Sequence, residues 1–401
     1  MRTWGDVRGQ LDGHKISNQW RHTIGAVATQ FQLLIPSSKS GPVPFTFDVE
    51  NGCLSTPGYL SNTEFRFPKD KADAILSTVS FPRKEFCRSV IWFPPSQHDG
   101  IRQSITSPFQ RSSNPGLGPL ERLPAELLNN ILLGLDLQSL FNFGQTNLKS
   151  REAVYSLKQY RLVLSHGLNL VCALLRTGVA TSVSLLDCYR ALCTKACAIC
   201  DGFGGFISLL TWERCCYRCF QEAPELQMYS LTAVKRRFQL PKCDMDQLER
   251  FKTLPGTYNL EQSTYKSRMT IVSAYKALMF VDEYPYRPSP ASLVQRGQIL
   301  NFMGTCALPY YDTSTGQVEE GVSCAGCQLL VANGCVMREM PFWSWAYEAR
   351  NTLYSRDGFL EHFRRCKQAQ RRWNESDEGK KLPPDLRSLL NHSRQEVDKN
   401  T

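Results

Sequence analysis

What the chain lacks narrows its class first. No uninterrupted apolar run reaches the about 18 residues that begin to suggest a membrane-crossing helix. The most apolar stretch, Leu162 to Leu175, is broken by His166, Gly167 and Asn169. The opening Met1-Arg-Thr-Trp-Gly-Asp6 leads into no apolar core of a signal peptide, so no secretory leader is expected. No five like charges stand in a row, which removes a polybasic or acidic tail from consideration. Histidine is scarce, with six in the chain. None of G-x-S-x-G, H-E-x-x-H or a Walker phosphate loop occurs, and Gly202-Phe-Gly-Gly205 departs from G-x-G-x-x-G and opens no obvious helix. A protein without enzymatic activity is the expectation. WD40 and leucine-rich repeats are absent as well, which removes two common protein-binding architectures.

What is present supports a multidomain chain. Its 401 residues suffice for two or three domains, and 42% hydrophobic content supports a real core. The formal net charge of +10 is a moderate basic excess. Sixteen cysteines without a secretory signal point to thiols, core residues or metal ligands in a reducing compartment, hence a cytoplasmic and/or nuclear location.

The most informative stretch runs from Leu120 to Leu157, LERLPAELLNNILLGLDLQSLFNFGQTNLKSREAVYSL. Leu123, Leu127, Leu128, Ile131, Leu132 and Leu135 form one broad apolar stripe at helical spacing. Pro124 suits a first helical position, Gly134 and Asp136 interrupt, and Leu137, Leu140, Phe141 and Phe143 make a second short segment. Thr146 and Asn147 can cap a third helix through Ser150, Val154 and Leu157. Three short helices then hold more leucine than they can bury by themselves. Leu123-Pro-x-Glu126-Leu-Leu-x-x-Ile131-Leu132, with Leu135 and Leu140 after it, resembles an F-box. That resemblance implies docking on the small adaptor of a cullin-based ubiquitin ligase through Leu123, Pro124, Glu126, Leu127, Ile131, Leu132, Leu135 and Leu140. Many F-boxes end near a tryptophan, which Arg151 to Leu157 lacks.

Downstream, Leu157 to Leu175 reads as a helix ended by Gly178, and Thr181 or Ser182 as the cap of the next, through Leu185, Leu186, Tyr189 and Leu192. Cys197-Ala-Ile-Cys200 and Cys216-Tyr-Arg-Cys219 follow, with 15 residues between the pairs. Each C-x2-C turn presents two thiolates to one ion, and two turns complete a tetrahedral four-cysteine zinc site. Cys215 is an alternative to Cys216. The glycines and apolar residues of 202–212 suit a knuckle running into a β-hairpin. Cys324-Ala-Gly-Cys327 is a second knuckle. His362 and Cys366, an i, i+4 pair on a helix begun by Asp357 or Ser355, complete a site of three cysteines and one histidine across 34 residues, with Cys335 as a competing ligand. Both sets have four protein ligands, which suits structural rather than catalytic zinc, and two ions are expected. The F-box, the spacer, Cys197-x-x-Cys-x-x-Phe-Gly-Gly-Phe206, Cys215-Cys-x-x-Cys-Phe220 and Phe359-Leu-Glu-His-Phe-x-x-Cys366 together look like a group of fungal F-box proteins with C-terminal Cys/His zinc-binding modules.

The fold class expected is α+β: a small three-helix F-box at 119–157, a helical spacer at 158–195, and irregular zinc-stabilised modules of knuckle, β-hairpin and helix. The four-cysteine module spans 196–245 and a C-terminal domain 246–375. Residues 1–118 carry no motif and read as a largely disordered arm and linker, and 376–401 as a disordered tail. Ser230 to Leu240 and Tyr265 to Phe280 are helix candidates, and the pattern from Ile299 turns β-like. The function that follows is a substrate-recruiting subunit whose zinc-stabilised domain presents a target surface. The alternative is a zinc-stabilised nucleic-acid-binding protein, resting on the net charge and on Arg364, Arg365, Lys367, Arg371 and Arg372 near Trp343, Trp345, Tyr347 and Trp373.

Overall fold

The computed structural model describes residues 61–94 (apart from 62), 96, 116–281, 288–332 (apart from 296) and 343–382, with positions 384, 386 and 389. All of them fall in one compact unit, Thr56–Thr401. Helices and small antiparallel sheets alternate along it, an α+β architecture. Among the described residues no helix is long and apolar enough to cross a membrane.

Three short helices, Ala125–Gly134, Leu137–Thr146 and Leu148–Ser156, open the central part. Pro124 sits one position before the first helix, as its N-cap, with φ −52° and ψ 146°. Asp136 caps the second helix, its carboxylate accepting from Ser139 N–H at 2.8 Å. Asn147, rather than Thr146, caps the third through Ser150 N–H at 2.8 Å. The spacer helix Lys158–Thr177 ends at Gly178, whose φ of 80° is the left-handed stop that glycine adopts freely. Gly167 breaks it midway. The next helix, Leu185–Leu192, is started by Ser184 and not by Thr181 or Ser182, which lie in and just after a 3-10 turn. Ser184 and Asp187 form a reciprocal capping box, which satisfies donors at that end.

The hairpin of Phe206–Ser208 with Arg214–Cys215 pairs through its first strand with Thr305–Ala307. This sheet packs on the spacer helix within one continuous core that includes Leu132, Leu140, Leu170, Leu174, Phe206 and Phe220. A second sheet, Met228–Ser230, Thr270–Ser273 and Arg250–Lys252, carries the helices Leu231–Phe238 and Ala274–Met279 on a separate apolar cluster. The helix expected over Tyr265–Phe280 therefore shortens to its last third. Thr270–Ser273 is instead the central strand, because its β-branched Ile271 and Val272 are buried between two neighbours. Ile299–Met303 is a short helix rather than a strand, and the β pattern begins at Thr305.

The expectation for 1–118 is narrowed by residues 61–94; most of the remainder lies outside the described residues. The helix Ala72–Val79 leads into a two-residue strand, Ser80–Phe81, paired antiparallel with Ser323–Cys324. Phe86 is fully buried in the central core, and Ile91 bridges Cys306. Asn169 fixes that last contact. Its amide donates to Ile91 C=O at 2.8 Å, and its side-chain carbonyl accepts from Phe93 N–H at 3.0 Å. The polar residue that interrupts the apolar spacer thus serves as the anchor for a distant segment. At the other end, most of 376–401 lies outside the described residues, but Leu386 is buried with Phe81, Ala325 and Leu329.

Candidate docking helices and metal centres

The leucine stripe of Ala125–Gly134 divides into two faces. Leu132 is buried, and Leu128, Leu133 and Leu135 pack partly against the central core. Leu140, on the following helix, is fully buried in the same core. Leu127 and Ile131, one turn apart, keep 51% and 48% of their surface exposed. Leu123 is half-buried, and Pro124 and Glu126 are exposed. Of the eight docking residues expected, Leu132 and Leu140 therefore build the unit, while Leu127, Ile131, Pro124 and Glu126 face outward. Large aliphatic side chains left in water are unfavourable by about 1.5–3 kcal/mol each relative to burial. Adjacent on one face, they form an apolar patch suited to a partner.

Cys197, Cys200, Cys216 and Cys219 come together, with their sulfurs all within 4.8 Å of one another. The first turn is held by Cys197 N–H donating to Gly202 C=O at 2.7 Å and Asp201 N–H to Cys197 C=O at 3.0 Å. Cys219 N–H donates to Cys216 Sγ at 3.3 Å. Cys215 is not part of the group; it is the buried last residue of the hairpin strand, opposite Phe206. Crowding divides the thiols: hydrogen bonds from Cys200, Cys216 and Cys219 pull Cys197 far down, and Cys200, raised by Cys197 but lowered further by Cys216 and Cys219, falls to about 7. Hydrogen bonds with Cys197, and then with Cys200, push Cys216 and Cys219 up.

Cys324, Cys327, His362 and Cys366 form the second group, again within 4.8 Å. Ser355 caps the helix Arg356–Arg365, accepting from Gly358 N–H at 3.2 Å. The expected i, i+4 pair does not sit on one continuous helix. Cys366 closes this helix and caps the next, Lys367–Glu375, so its sulfur sits at the corner where both can deliver it. That corner comes so near the knuckle that a side chain at Gly326 would meet Ala369 N at 2.5 Å, which is why glycine stands between Cys324 and Cys327. Burial raises the Cys324 and Cys327 thiols, whereas hydrogen bonds from them lower Cys366. Cys335 lies outside the described residues.

The spacings fit one tetrahedral ion per group. Bonds of about 2.3 Å to sulfur at tetrahedral angles place two sulfurs about 3.8 Å apart, and a sulfur and an imidazole nitrogen about 3.5 Å apart. Cys200 and Cys216 sulfurs are 3.7 Å apart, Cys327 and Cys366 3.8 Å, Cys324 and Cys366 4.0 Å, and Cys327 Sγ lies 3.5 Å from His362 Nε2. None of these cysteines is joined in a disulfide. Both groups can hold a metal ion.

Two supporting residues carry no sequence signal. Tyr354 stacks on the His362 ring at 4.6 Å, and its oxygen lies 3.2 Å from Nδ1. With Nε2 toward the cysteines, Nδ1–H donates to that oxygen, which fixes tautomer and ring orientation. Burial raises the Tyr354 hydroxyl well above its usual range, so it stays neutral. Arg214 is buried, and among the described residues no carboxylate pairs with it. Its guanidinium donates to the carbonyls of Gly204, Ala191, Leu308 and Pro309, tying the first knuckle to the helix before it and the strand beside it. Burial lowers it to about 10.

The basic residues on either side of Cys366, on two successive helices, are largely paired within the chain. Arg364 lies over Phe67, Arg365 pairs with Glu64 at 3.2 Å, and Arg371 and Arg372 both reach Glu375 at 2.8 Å. Trp373 is buried, and the side chains of Trp343 and Trp345 lie outside the described residues. No curated protein and no solved structure matches the chain. Among family models, that of the F-box domain matches residues 120–162, the three short helices and the first turn of the spacer, so the chain carries an F-box domain there.

Proposed function

We propose that this chain is a non-enzymatic substrate receptor of a cullin-based ubiquitin ligase. It docks the adaptor through its F-box and presents a target-binding domain built around two structural zinc ions. An F-box domain supports adaptor binding in a cullin ligase in general. The observation that carries the reading is the exposure of Leu127 and Ile131 on the outer face of the matched domain, while Leu132 and Leu140 are used inside it. Burying a few such anchors supports a stable complex.

Zinc is favoured by the donor sets, four cysteines in one group and three cysteines with a histidine in the other, and by edge lengths near those of a regular tetrahedron. Cys197, Cys200, Cys216 and Cys219 hold one ion, and Cys324, Cys327, His362 and Cys366 the other. With four protein ligands each, the sites leave no open position for substrate. Folding and metal binding are then coupled. The Cys/His modules beyond the F-box support the kinship with fungal F-box proteins of that build, and the absence of disulfides among the described cysteines suits the cytoplasm and/or nucleus. Pairing of the arginines on the two helices that flank Cys366 disfavours the nucleic-acid reading. Co-expression with the adaptor and its cullin tests the proposal: recovery of a stoichiometric complex supports it, and an adaptor-free chain that binds nucleic acid with a steep salt dependence would replace it.

A further inference from the structure

Beside the second cysteine group an open groove of about 550 Å³ runs between the helix Ala72–Val79 and the connection from Gln317 to Val322. Its apolar lining includes Leu76, Phe81, Val322 and Tyr354, the residue that also supports His362. Val318, at the rim, is 37% exposed. Three carboxylates, Asp73, Glu319 and Glu320, line it against one guanidinium, Arg356, in a chain whose net charge is +10. Asp73 is paired with Arg356, and Glu319 with Lys195 at 3.3 Å. Glu320 is exposed to solvent.

The groove also offers a strand edge. Tyr310 faces Glu319, and Tyr311 faces Val318, in a two-stranded antiparallel hairpin. Asp312 N–H donates to Gln317 C=O at 2.9 Å, which makes that pair a hydrogen-bonded one. Because hydrogen-bonded and non-hydrogen-bonded pairs alternate, the backbone N–H and C=O of Val318 point away from Tyr311, outward from the hairpin. An outward strand edge above an apolar floor is the arrangement that accepts an added extended segment.

Resting on the receptor reading, we infer that this groove binds an extended segment of the target protein, laid along the Val318 edge, with a bulky apolar side chain on the floor and Lys or Arg flanking it. The floor supplies the apolar contact, the edge supplies main-chain hydrogen bonds, and the exposed Glu320 selects the flanking charge. An acidic segment would meet repulsion in the same place.

The test uses the full-length chain and three fluorescein-labelled peptides, in which Lys-Arg-Phe-Lys-Arg, Glu-Glu-Phe-Glu-Glu or Lys-Arg-Gly-Lys-Arg is flanked by glycines. Saturable binding of the first in fluorescence anisotropy, with much weaker binding of the other two, is expected. Val318→Lys and Glu320→Lys, made separately at exposed positions, should each weaken it by about tenfold or more, with metal content and adaptor capture unchanged. Equal binding of all three peptides, preference for the Glu-flanked one, no saturation with the first, or insensitivity to both substitutions would overturn the inference. Peptide binding by a chain that captures no adaptor would keep the groove and overturn only the receptor reading.

Discussion

Phe86 lies flat on Tyr217, with ring centroids 3.7 Å apart and planes 6° from parallel. Phe86 precedes the F-box and Tyr217 lies inside the first cysteine module, between Cys216 and Cys219. Arg83 covers the other face of Phe86 at 3.9 Å and is itself held by Glu85 and by Arg350 C=O. Phe86→Ala should therefore destabilise the central core by about 3–5 kcal/mol, the usual range for a buried aromatic removed to alanine. Chemical denaturation of the purified chain measures it. A chain beginning at the F-box should fail to fold, since it lacks Phe86, Ile91 and the strand Ser80–Phe81.

The metal reading gives a stoichiometry. Native mass spectrometry of the wild-type chain should show two zinc equivalents. Cys197→Ser with Cys200→Ser should leave one, and His362→Ala with Cys366→Ala should leave one. A single equivalent in the wild type would count against one of the two sets.

Tyr354 acts on the second site through His362 and offers a finer test. Tyr354→Phe keeps the stacked ring and removes the partner of Nδ1. Loss of such an outer partner usually lowers metal affinity by about 10–100-fold. Competition with a chelator should show that loss at the second site and none at the first.

The two groups differ in access. Cys200 is exposed and Cys216 half-buried, whereas Cys324, Cys327 and Cys366 are all buried. A thiol alkylator should modify the first group well before the second, and the first zinc equivalent should leave with it. Peptide mapping after brief treatment reads the order; modification of Cys324 or Cys327 ahead of Cys200 would contradict it.

The parts legible in the sequence are those whose signal is local. A C-x2-C turn carries its ligands within four residues, so both knuckles stand out, and the choice of Cys216 over Cys215 follows from its spacing to Cys219. The F-box stripe is likewise visible because Leu127, Ile131 and Leu132 recur at helical spacing. That spacing does not tell which stripe residues a helix keeps for its own core, and Leu132 and Leu140 proved internal. The contribution of residues 61–94 was hidden for a different reason. Ser80 pairs with Cys324, far along the chain, and a two-residue strand has no periodicity to read. Arg214 and Tyr354 give no spacing signal either, since four carbonyls from separated segments and one imidazole define their roles.

Docking through Leu127 and Ile131 is tested by measuring adaptor capture by the wild-type chain, by a Leu127→Asp/Ile131→Asp double variant and by Val318→Lys as a surface control. Both F-box side chains are exposed, so the double variant should keep its fold and both zinc equivalents. Stoichiometric adaptor is expected with the wild type and the control, and none with the double variant. Undiminished capture by a folded double variant, or none by the wild type, would contradict that docking.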